Sequence, residues 1–454
     1  MQGAIPLNEF VKRRRKLIDM MAPNSVAIIP GARASRRNRD VYYPFRQDSD
    51  FHYLTGFNEP DSLLVLVPGR KHGEVVLFCP ERDPVAEQWD GERLGPDRAV
   101  QILGVDDAFP EADLDDIVPG FLEGNERIYI SLGEHPEFDN QLLSWVSAIR
   151  KRDAAGTQTP GEFVELKHLL HELRLFKSPR ELKLMRQAAQ ITCDAHKRAM
   201  GACQPGLYES QLEAELVYEF MRQGARHPAY PSIVGSGPNA CVLHYLDNNR
   251  QIERGDLVLI DAGCELESYA ADVTRTFPAS GRFNKAQREI YQIVLAANQA
   301  AIDACVQGAD FNAPHAAAIQ TMVEGLLALG LLQGSVEQVL ENEDYKQYCP
   351  HRTSHWLGLD VHDVGDYRID ESWRELEPGM VLTVEPGIYI PVDPQASDAP
   401  KKYRGIGVRI EDDVLVTKTG PEVLSTSMPK QVSEIEALVG AAVQSATPAK
   451  ARAV

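Results

Sequence analysis

Residues 256–278 read DLVLIDAGCELESYAADVTRTFP, and this stretch decides the fold of the second half of the chain. Residues 257–260 form an apolar run, typical of a buried strand, that leads into Asp261. A glycine then begins a turn, and residues 269–277 return with Asp272 near their start. The pattern predicts a β-hairpin in which the carboxylates of Asp261 and Asp272 face each other.

Two further apolar runs carry acids. Residues 380–384 lead into Glu385, and the proline after it ends strand pairing and leaves the carboxylate at a strand end. Residues 407–411 place Arg409 and Glu411 on one face by the two-residue period of a strand. Each acid alone fits a turn or a surface ion pair. Together they predict a divalent metal site, because buried like charges repel unless a cation neutralises them.

Histidines add nitrogen ligands to this set. His351, His355 and His362 lie within twelve residues, and His244 stands alone in VLHY. A lone histidine is more often a core residue than a ligand, but for His244 both alternatives stay open. The cluster of three favours a functional role.

The first part of the chain alternates short strands and helices, with apolar runs at residues 62–67 and 74–78. This pattern predicts an α/β domain. Residues 151–161 are polar and small, and we interpret them as a surface connection. We therefore expect three segments: an N-terminal α/β domain over residues 1–175, an α+β domain over residues 176–440, and a disordered tail over residues 441–454.

Helix signals are clear at several places. Ser178 and Glu181 form a capping box with proline at the first helical position, which predicts a helix through about Met200. Residues 209–222 are a second helical stretch, and residues 285–332 form a long helical block. The basic run at residues 12–16 lies among apolar residues at helical spacing, and we interpret it as a solvated helix face.

Composition excludes several classes of protein. Lys and Arg number 47 against 66 Asp and Glu, and the net charge of −19 argues against nucleic-acid binding. No stretch reaches the ~18 apolar residues of a membrane span, and no secretory h-region follows the basic run, so we expect a cytoplasmic protein. The seven scattered cysteines contain no C-x-x-C pair, which argues against a disulfide framework or a Cys-rich zinc site.

The sequence resembles the aminopeptidase P branch of the pita-bread metallopeptidases, relatives of prolidase and methionine aminopeptidase. The resemblance covers nearly the whole chain and implies a pita-bread catalytic domain behind an α/β domain that gates substrate or supports oligomerisation. Its most specific motifs are DLVLIDAGCE, YAADVTRTFP, SHWLGLDVHDVG, LEPGMVLTVEPGIY and YRGIGVRIEDD.

The resemblance implies five metal ligands: Asp261, Asp272, His355, Glu385 and Glu411. Asp272 and Glu411 would bridge two ions, Asp261 would bind one ion, and His355 with Glu385 would bind the other. Four carboxylates and one imidazole make a hard, oxygen-rich set that favours Mn²⁺, with cobalt or zinc as substitutes. Two such ions acidify a shared water and polarise the scissile carbonyl.

Further roles follow from the same resemblance. His244 and His362 match substrate-contacting histidines, and Arg409 matches an arginine that offsets the charge left at the site. We assign catalysis to His362, Glu385, His244 and Arg409.

Substrate binding also includes His351 and Tyr389. Trp89 resembles a position that reaches the active site of a neighbouring subunit, so we expect a homo-oligomer, a dimer or tetramer. Two places depart from the family pattern: Arg352 with Thr353 replace a Gly-Leu pair, and the loop at residues 366–374 aligns poorly. We assign no role to residues of that loop.

The implied activity is removal of the first residue from peptides whose second residue is proline, by a dinuclear metallo-aminopeptidase. Hydroxide would attack the carbonyl before proline, His362 would stabilise the oxyanion and Glu385 would carry the proton to the leaving nitrogen. Two alternatives remain. A prolidase limited to dipeptides would share all five ligands, and an inactive pita-bread domain would only bind protein partners.

Overall fold

The computed structural model describes residues 5–152, 156, 158–393 and 398–445. The chain divides into two compact units between Arg174 and Leu175, one residue before the predicted boundary.

The first unit alternates helices and strands. Its helices are α1 (Leu7–Met20), α2 (Ser49–Thr55), α3 (Pro84–Asp90), α4 (Gly95–Leu103), α5 (Leu114–Leu122), α6 (Pro136–Arg152) and α7 (Lys167–Leu175). Its strands are β1 (Ser25–Pro30), β2 (Arg36–Asn38), β3 (Val41–Tyr42), β4 (Leu63–Leu66), β5 (Val75–Cys79), β6 (Asp107–Pro110), β7 (Arg127–Tyr129) and β8 (Glu162–Val164).

Six of these strands form one mixed sheet in the order β6-β5-β4-β1-β7-β8. Strands β1, β7 and β8 run parallel, and β4 is antiparallel to both of its neighbours. Apolar side chains from one face of the sheet, such as Val65 and Phe78, pack in one core with Val118 of α5 and Trp145 of α6. The predicted α/β class of the first domain is confirmed.

The interpretation of residues 12–16 as a solvated helix face is wrong for two arginines. Arg13 and Arg14 are buried in α1. The Arg14 guanidinium donates to the carbonyl oxygens of Leu54 at 2.8 Å and Leu103 at 2.9 Å. These carbonyls lie in the last turns of α2 and α4, where no helical donor is available, so a buried cation satisfies them.

The second unit contains helices α8 (Pro179–Ala202), α9 (Glu209–Arg222), α10 (Lys285–Asp303), α11 (Ala313–Ala328), α12 (Val336–Glu341) and α13 (Val432–Ser445). Its strands are β9 (His227–Pro228), β10 (Ile233–Ser236), β11 (Leu257–Asp261), β12 (Cys264–Leu266), β13 (Tyr269–Ala270), β14 (Thr274–Pro278), β15 (Arg368–Ile369), β16 (Ser372–Trp373), β17 (Val381–Val384), β18 (Gly387–Tyr389), β19 (Gly407–Arg409), β20 (Asp412–Thr417) and β21 (Gly420–Val423).

Helix α8 begins at the predicted capping box. The Ser178 hydroxyl accepts from the Glu181 backbone N–H at 3.4 Å, and the Glu181 carboxylate accepts from the Ser178 N–H at 2.8 Å. Helix α9 has the predicted bounds, Glu209–Arg222. Local helix signals therefore suffice for both elements.

The helical block predicted over residues 285–332 is interrupted between α10 and α11. Within the break, Gly308 N–H donates to the Leu376 carbonyl at 2.9 Å and Phe311 N–H donates to the Arg374 carbonyl at 2.8 Å. Gly308 has a φ of 84°, which a helix interior does not allow. Pairing with a segment more than sixty residues away in sequence replaces helix here.

The predicted hairpin is also more complex than its sequence pattern. Strand β11 pairs antiparallel with β14, whose first residue is Thr274. Residues 269–270 instead pair with β12 in another sheet, and Asp272 precedes β14. The chain turns back so closely that a Cβ on Gly263 would lie 1.6 Å from the Ala271 carbonyl oxygen. Glycine at this position allows the turn that brings the two acids together.

Two smaller predictions concern the edges of the domains. Helix α13 extends to Ser445, so the residues just after 440 are helical, and residues 446–454 of the expected tail lie outside the described residues. Helix α6 reaches Arg152 in the expected connection, of which residues 153–155 and 157 are not described. Among the described residues, none of the helices combines the length and apolarity that a bilayer crossing requires.

Candidate metal centre and active site

A cavity of about 1090 Å³ lies in the second unit. Strands β11, β17 and β19 end at it, and β14 begins near it. Asp261 and Arg409 are the last residues of β11 and β19, Glu385 follows β17, and Asp272 precedes β14. The structure brings nine of the predicted site residues to the lining of this cavity: His244, Asp261, Asp272, His351, His355, His362, Glu385, Arg409 and Glu411.

Three of the predicted ligands form the centre of this group. A carboxylate oxygen of Asp272, a ring nitrogen of His355 and a carboxylate oxygen of Glu411 all lie within 4.8 Å of one another. His355 Nε2 is 3.4 Å from Asp272 Oδ2 and 3.7 Å from Glu385 Oε1. His355 Nδ1 lies 2.9 Å from the Trp356 carbonyl oxygen, so this ring nitrogen donates there and Nε2 faces the acids.

Asp261 joins the centre through Tyr230, which the sequence analysis missed. The Tyr230 hydroxyl contacts Asp261 Oδ1 at 2.6 Å and also contacts Asp272 Oδ1. A hydroxyl carries one proton and cannot donate to two carboxylates at once. Burial, and then the charge of Asp261, raise the pKa of Asp272, although the hydrogen bond to His355 opposes the shift.

Arg409 is the cation built into the site. Its Nη2 donates to Asp261 Oδ2 at 2.5 Å, its Nη1 to the Tyr389 hydroxyl at 2.7 Å, and its Nε to Thr274 Oγ1 at 3.1 Å. Burial opposes the charged form of Asp261, but Arg409 and Tyr230 outweigh burial and lower its pKa. One guanidinium thus fixes the positions of three neighbouring side chains.

Glu411 and Asp413 carry the most unfavourable charges. The Thr274 hydroxyl donates to Glu411 Oε2 at 2.6 Å. Burial, and then the charges of nearby acids, raise the pKa of Glu411 well above its usual value. Asp413, also missed from sequence, accepts from the Asp272 backbone N–H at 3.3 Å, and burial with the Asp272 charge raises its pKa.

The pKa values of Glu385 and His355 are also shifted by burial and neighbouring charges. Burial raises the pKa of Glu385 to about 7, although His355 and Arg409 oppose the shift. Burial lowers the basicity of His355, yet its hydrogen bond to Asp272 and the Glu385 charge raise its pKa to about 9. Without a metal the group therefore retains protons to reduce repulsion between its acids.

These features fit a resident divalent metal. The donor set is four carboxylates and one imidazole, which suits hard or borderline divalent ions. The acids lie at or beside the ends of strands, and Arg409 and His355 offset part of their charge. Divalent cations at this position would replace the protons and remove the repulsion.

The remaining predicted histidines surround this centre. The His362 ring lies 4.2 Å from the His355 ring, and both His362 and His244 are exposed on the cavity lining. His351 Nε2 accepts from the Tyr389 hydroxyl at 2.8 Å, and Nδ1 donates to the Arg352 carbonyl at 2.8 Å. Burial, and then Arg409, lower the pKa of His351 to about 4, so this ring is neutral at pH 7.

Two predicted substrate residues lie away from the lining. Tyr389 lies behind His351 and Arg409 and contacts both. Trp89 belongs to α3 of the first unit, where its side chain is 84% exposed.

Sequence reasoning missed several residues here. Tyr230 lies between two prolines in HPAYPS, and Asp413 follows two other acids in EDD, so neither has a distinctive pattern. The unassigned loop at residues 366–374 forms the β15–β16 hairpin, and its Arg368 and Trp373 line the cavity.

Comparison with known proteins agrees with this geometry. The chain is 46% identical to Xaa-Pro aminopeptidase of Escherichia coli over 96% of its own length and 99% of that protein. Aminopeptidase PepP of Pseudomonas aeruginosa superposes with a TM-score of 0.95 at 55% identity, covering 97% of this chain and 99% of that one. Zinc-substituted Escherichia coli aminopeptidase P, in complex with product, gives a TM-score of 0.94 at 46% identity, covering 97% and 99%.

Family comparisons divide the chain in the same way. The model for the N-terminal domain of aminopeptidase P matches residues 10–129, and that for metallopeptidase family M24 matches residues 183–418. The predicted fold, an α/β domain followed by a pita-bread domain, is confirmed. The predicted divalent metal is supported by the family and by the cluster of Asp272, His355 and Glu411. The chain therefore belongs to metallopeptidase family M24 and carries the N-terminal domain of aminopeptidase P.

Proposed function

We propose that the protein is a metal-dependent aminopeptidase that hydrolyses the bond between an N-terminal residue and a penultimate proline in peptides. The observation that carries this proposal is the convergence of five ligand side chains and Arg409 on one cavity. The named relatives, Xaa-Pro aminopeptidases and aminopeptidase P, support the proline specificity.

We assign two divalent ions, Mn²⁺ in the working enzyme, to Asp261, Asp272, His355, Glu385 and Glu411. The number of acids supports two ions, because the four negative charges of the carboxylates balance the charge of two divalent cations. The excess of oxygen over nitrogen donors supports manganese. When bound, the ions would supply Lewis acidity toward the scissile carbonyl and the attacking water.

The side chains around the ions would position the peptide. We place its free amine on the Asp261 side of the cavity and the proline ring on the side of His351 and His362. His244, exposed on the cavity lining, would hold the peptide backbone. Tyr389 would act through His351, whose ring orientation it fixes by a 2.8 Å hydrogen bond.

The chain supplies the proton transfers itself. Glu385 would take a proton from the attacking water and return it to the proline nitrogen as the bond breaks. His362 would donate a hydrogen bond to the oxyanion. Burial, and then His355, lower the pKa of His362, so its ring is neutral and still carries one N–H donor.

Arg409 would keep Asp261 ionised and correctly oriented throughout the reaction. Its ion pair with Asp261 at 2.5 Å and its bond to Tyr389 at 2.7 Å hold both groups in fixed positions. Fixed dipoles and charges of this kind need no rearrangement when charge develops in the transition state.

The direct test is hydrolysis of X-Pro peptides of different lengths, with and without manganese. Chelation should abolish activity, and Mn²⁺ should restore it better than other divalent metals. Full activity after exhaustive chelation, with metal absence verified by elemental analysis, would refute the proposal.

The same assay separates the alternatives. Cleavage of X-Pro tripeptides and longer peptides distinguishes an aminopeptidase from a prolidase, which would cleave only dipeptides. Protein that binds no metal and cleaves no substrate would indicate an inactive pita-bread domain.

We also propose that the protein works as a homo-oligomer, a dimer or tetramer, in the cytoplasm. The exposure of Trp89 supports a role at the active site of a neighbouring subunit. All seven cysteines are free thiols and six of them are buried, which supports a reducing compartment. Two results would support a site shared between subunits: a lower affinity for X-Pro peptides in Trp89→Ala, and a mass in solution above the 50.4 kDa of one chain.

A further inference from the structure

Four aromatic side chains pack together beside the cavity, and we call this cluster the aromatic wall: Phe311, Trp356, Tyr367 and Trp373. Phe311, Tyr367 and Trp373 line the cavity, whereas Trp356 is fully buried. Trp373 belongs to the unassigned β15–β16 hairpin. The rings of Trp356 and Tyr367 stack at 5.7 Å with an interplanar angle of 8°. The Phe311 ring lies 4.5 Å from Trp356, 4.6 Å from Tyr367 and 6.4 Å from Trp373. The wall begins beside the proposed ligand His355, which precedes Trp356, and ends at Trp373.

Two arginines rest on the outer end of this wall. The Arg368 guanidinium lies 4.1 Å from the centroid of the Trp373 ring, and that of Arg352 lies 4.7 Å from it. Arg352 also donates to the Asn312 side-chain oxygen at 2.8 Å. Both arginines are exposed on the cavity lining. A stacked guanidinium is held in place while N–H groups at its edge stay available to a ligand.

Neither arginine has an acidic partner in the part of the chain that the structure describes. No carboxylate oxygen there lies within 4.0 Å of either guanidinium, although Asp366, Asp370 and Glu371 belong to the same hairpin region. Burial, and then the positive charge of Arg368, lower the pKa of Arg352. A protein of net charge −19 therefore keeps two adjacent, uncompensated cations on its catalytic cavity.

The arginines lie on the side where the residues after proline would leave the site. In the proposed mechanism Glu385 gives its proton to the proline nitrogen, so the rest of the peptide departs past Glu385. His351 Nδ1 is 3.7 Å from Glu385 Oε2, and Arg352 follows His351 in the chain. Arg368 shares the Trp373 ring with Arg352.

We propose that Arg352 and Arg368, held on Trp373, form a carboxylate-binding subsite for the part of the peptide that follows proline. The inference rests on the proposed function and extends it to substrate selection. The ligand group is a peptide carboxylate, either the C-terminal carboxylate of a short peptide or an Asp or Glu side chain of a longer one. Guanidinium groups suit this ligand because they bind carboxylates through paired N–H donors.

The test compares X-Pro-Ala as a free acid and as its amide, with manganese-loaded, full-length protein. The free acid should have a KM lower by about tenfold, equivalent to about 1.4 kcal/mol, with a similar kcat. This preference should shrink as salt rises, because the arginines are exposed. A second pair, X-Pro-Glu-Ala amide and X-Pro-Gln-Ala amide, shows whether a side-chain carboxylate is recognised as well.

Variants assign the effect to the two arginines. Arg368→Gln and Arg352→Gln should each bring the acid-to-amide ratio of kcat/KM close to one, and Arg368→Lys should keep part of the preference. Arg254→Gln is the matched control, since Arg254 is exposed in the same unit and does not line the cavity. The control should keep the parent ratio.

The outcomes separate this inference from the proposed function. The subsite would be overturned if the acid and the amide were cleaved with equal KM and the two peptides of the second pair were also cleaved with equal KM. The proposed aminopeptidase activity would stand in that case. A preference that persists in both glutamine variants would also overturn it. Failure to cleave any X-Pro peptide would overturn both proposals.

Discussion

Binding of divalent metal should release protons from the metal-free site, and the pKa values of the proposed ligands determine how many are released. At pH 7, Glu385, with a pKa of about 7, holds about half a proton, and His355, with a pKa of about 9, holds nearly one. Glu411, whose pKa is raised well above normal, adds up to one more. Metal ligands must be deprotonated, so loading at pH 7 should release about 1.5 to 2.5 protons per chain.

The number of protons released should fall as pH rises. At pH 9 the metal-free site has lost the Glu385 proton and about half of the His355 proton, so about one proton fewer should be released than at pH 7. Calorimetric titration of manganese into chelator-treated protein measures this number. The observed heat, plotted against the ionisation enthalpy of several buffers, has the proton release as its slope.

Variants show which groups supply the protons. Glu385→Gln should lower the release at pH 7 by about half a proton, the share that its pKa of about 7 assigns to it. His362→Ala, which changes a residue beside the site and not a proposed ligand, should leave the release unchanged. A release near zero at pH 7, or one that does not change between pH 7 and pH 9, would refute this balance of charges and protons.

Three other predictions test separate parts of the structure. Glu411→Ala should lose both metal and activity, whereas His362→Ala should keep metal and lower turnover by about 10²-fold. Metal analysis and kinetics of both variants check this prediction, and loss of metal in His362→Ala would contradict the assigned roles. Lys177→Met should lower the free energy of unfolding by about 3–5 kcal/mol, because it removes the ammonium that lies 2.9 Å from the buried Asp363 carboxylate. Urea unfolding measures this change, and a decrease below about 1 kcal/mol would contradict the prediction. Adding Asp363→Asn to this variant should recover part of the lost stability. The raised pKa of His355 stabilises the metal-free protein; this contribution is complete below about pH 6.5 and is lost as pH rises through about 9. Urea unfolding of metal-free protein at several pH values should show this decline in the free energy of unfolding, and a flat profile would contradict it.

The acids of the proposed metal site could be located from the sequence because their signal is local. Several apolar strands that each lead into an acid together indicate a metal site, and in the structure Asp261 ends β11 and Glu385 follows β17. The bounds of α8 and α9 likewise follow from capping residues and helical spacing within each segment. Patterns of this kind depend on neighbours a few residues apart, which a single sequence displays.

Features that depend on distant contacts could not be predicted. Arg13 and Arg14 look like a solvated run until α2 and α4 place their terminal carbonyls beside them. The break between α10 and α11 exists because residues 308–311 pair with residues 374–376. Tyr230 is one of fifteen tyrosines, and only the fold places its hydroxyl between two carboxylates. Local sequence contains none of this information.

The hydrogen bond between Thr274 and Glu411 joins positions 137 residues apart, and it lies inside the proposed metal site. During synthesis, ribosomes extend a chain from its N-terminus, so Glu411 emerges long after Asp261 and Asp272. A nascent chain that lacks Glu411 would lack one ligand and the strand β20 that follows it. The peptidase would therefore stay inactive during most of its own translation, and premature termination before Glu411 would yield fragments without hydrolytic activity toward cellular peptides.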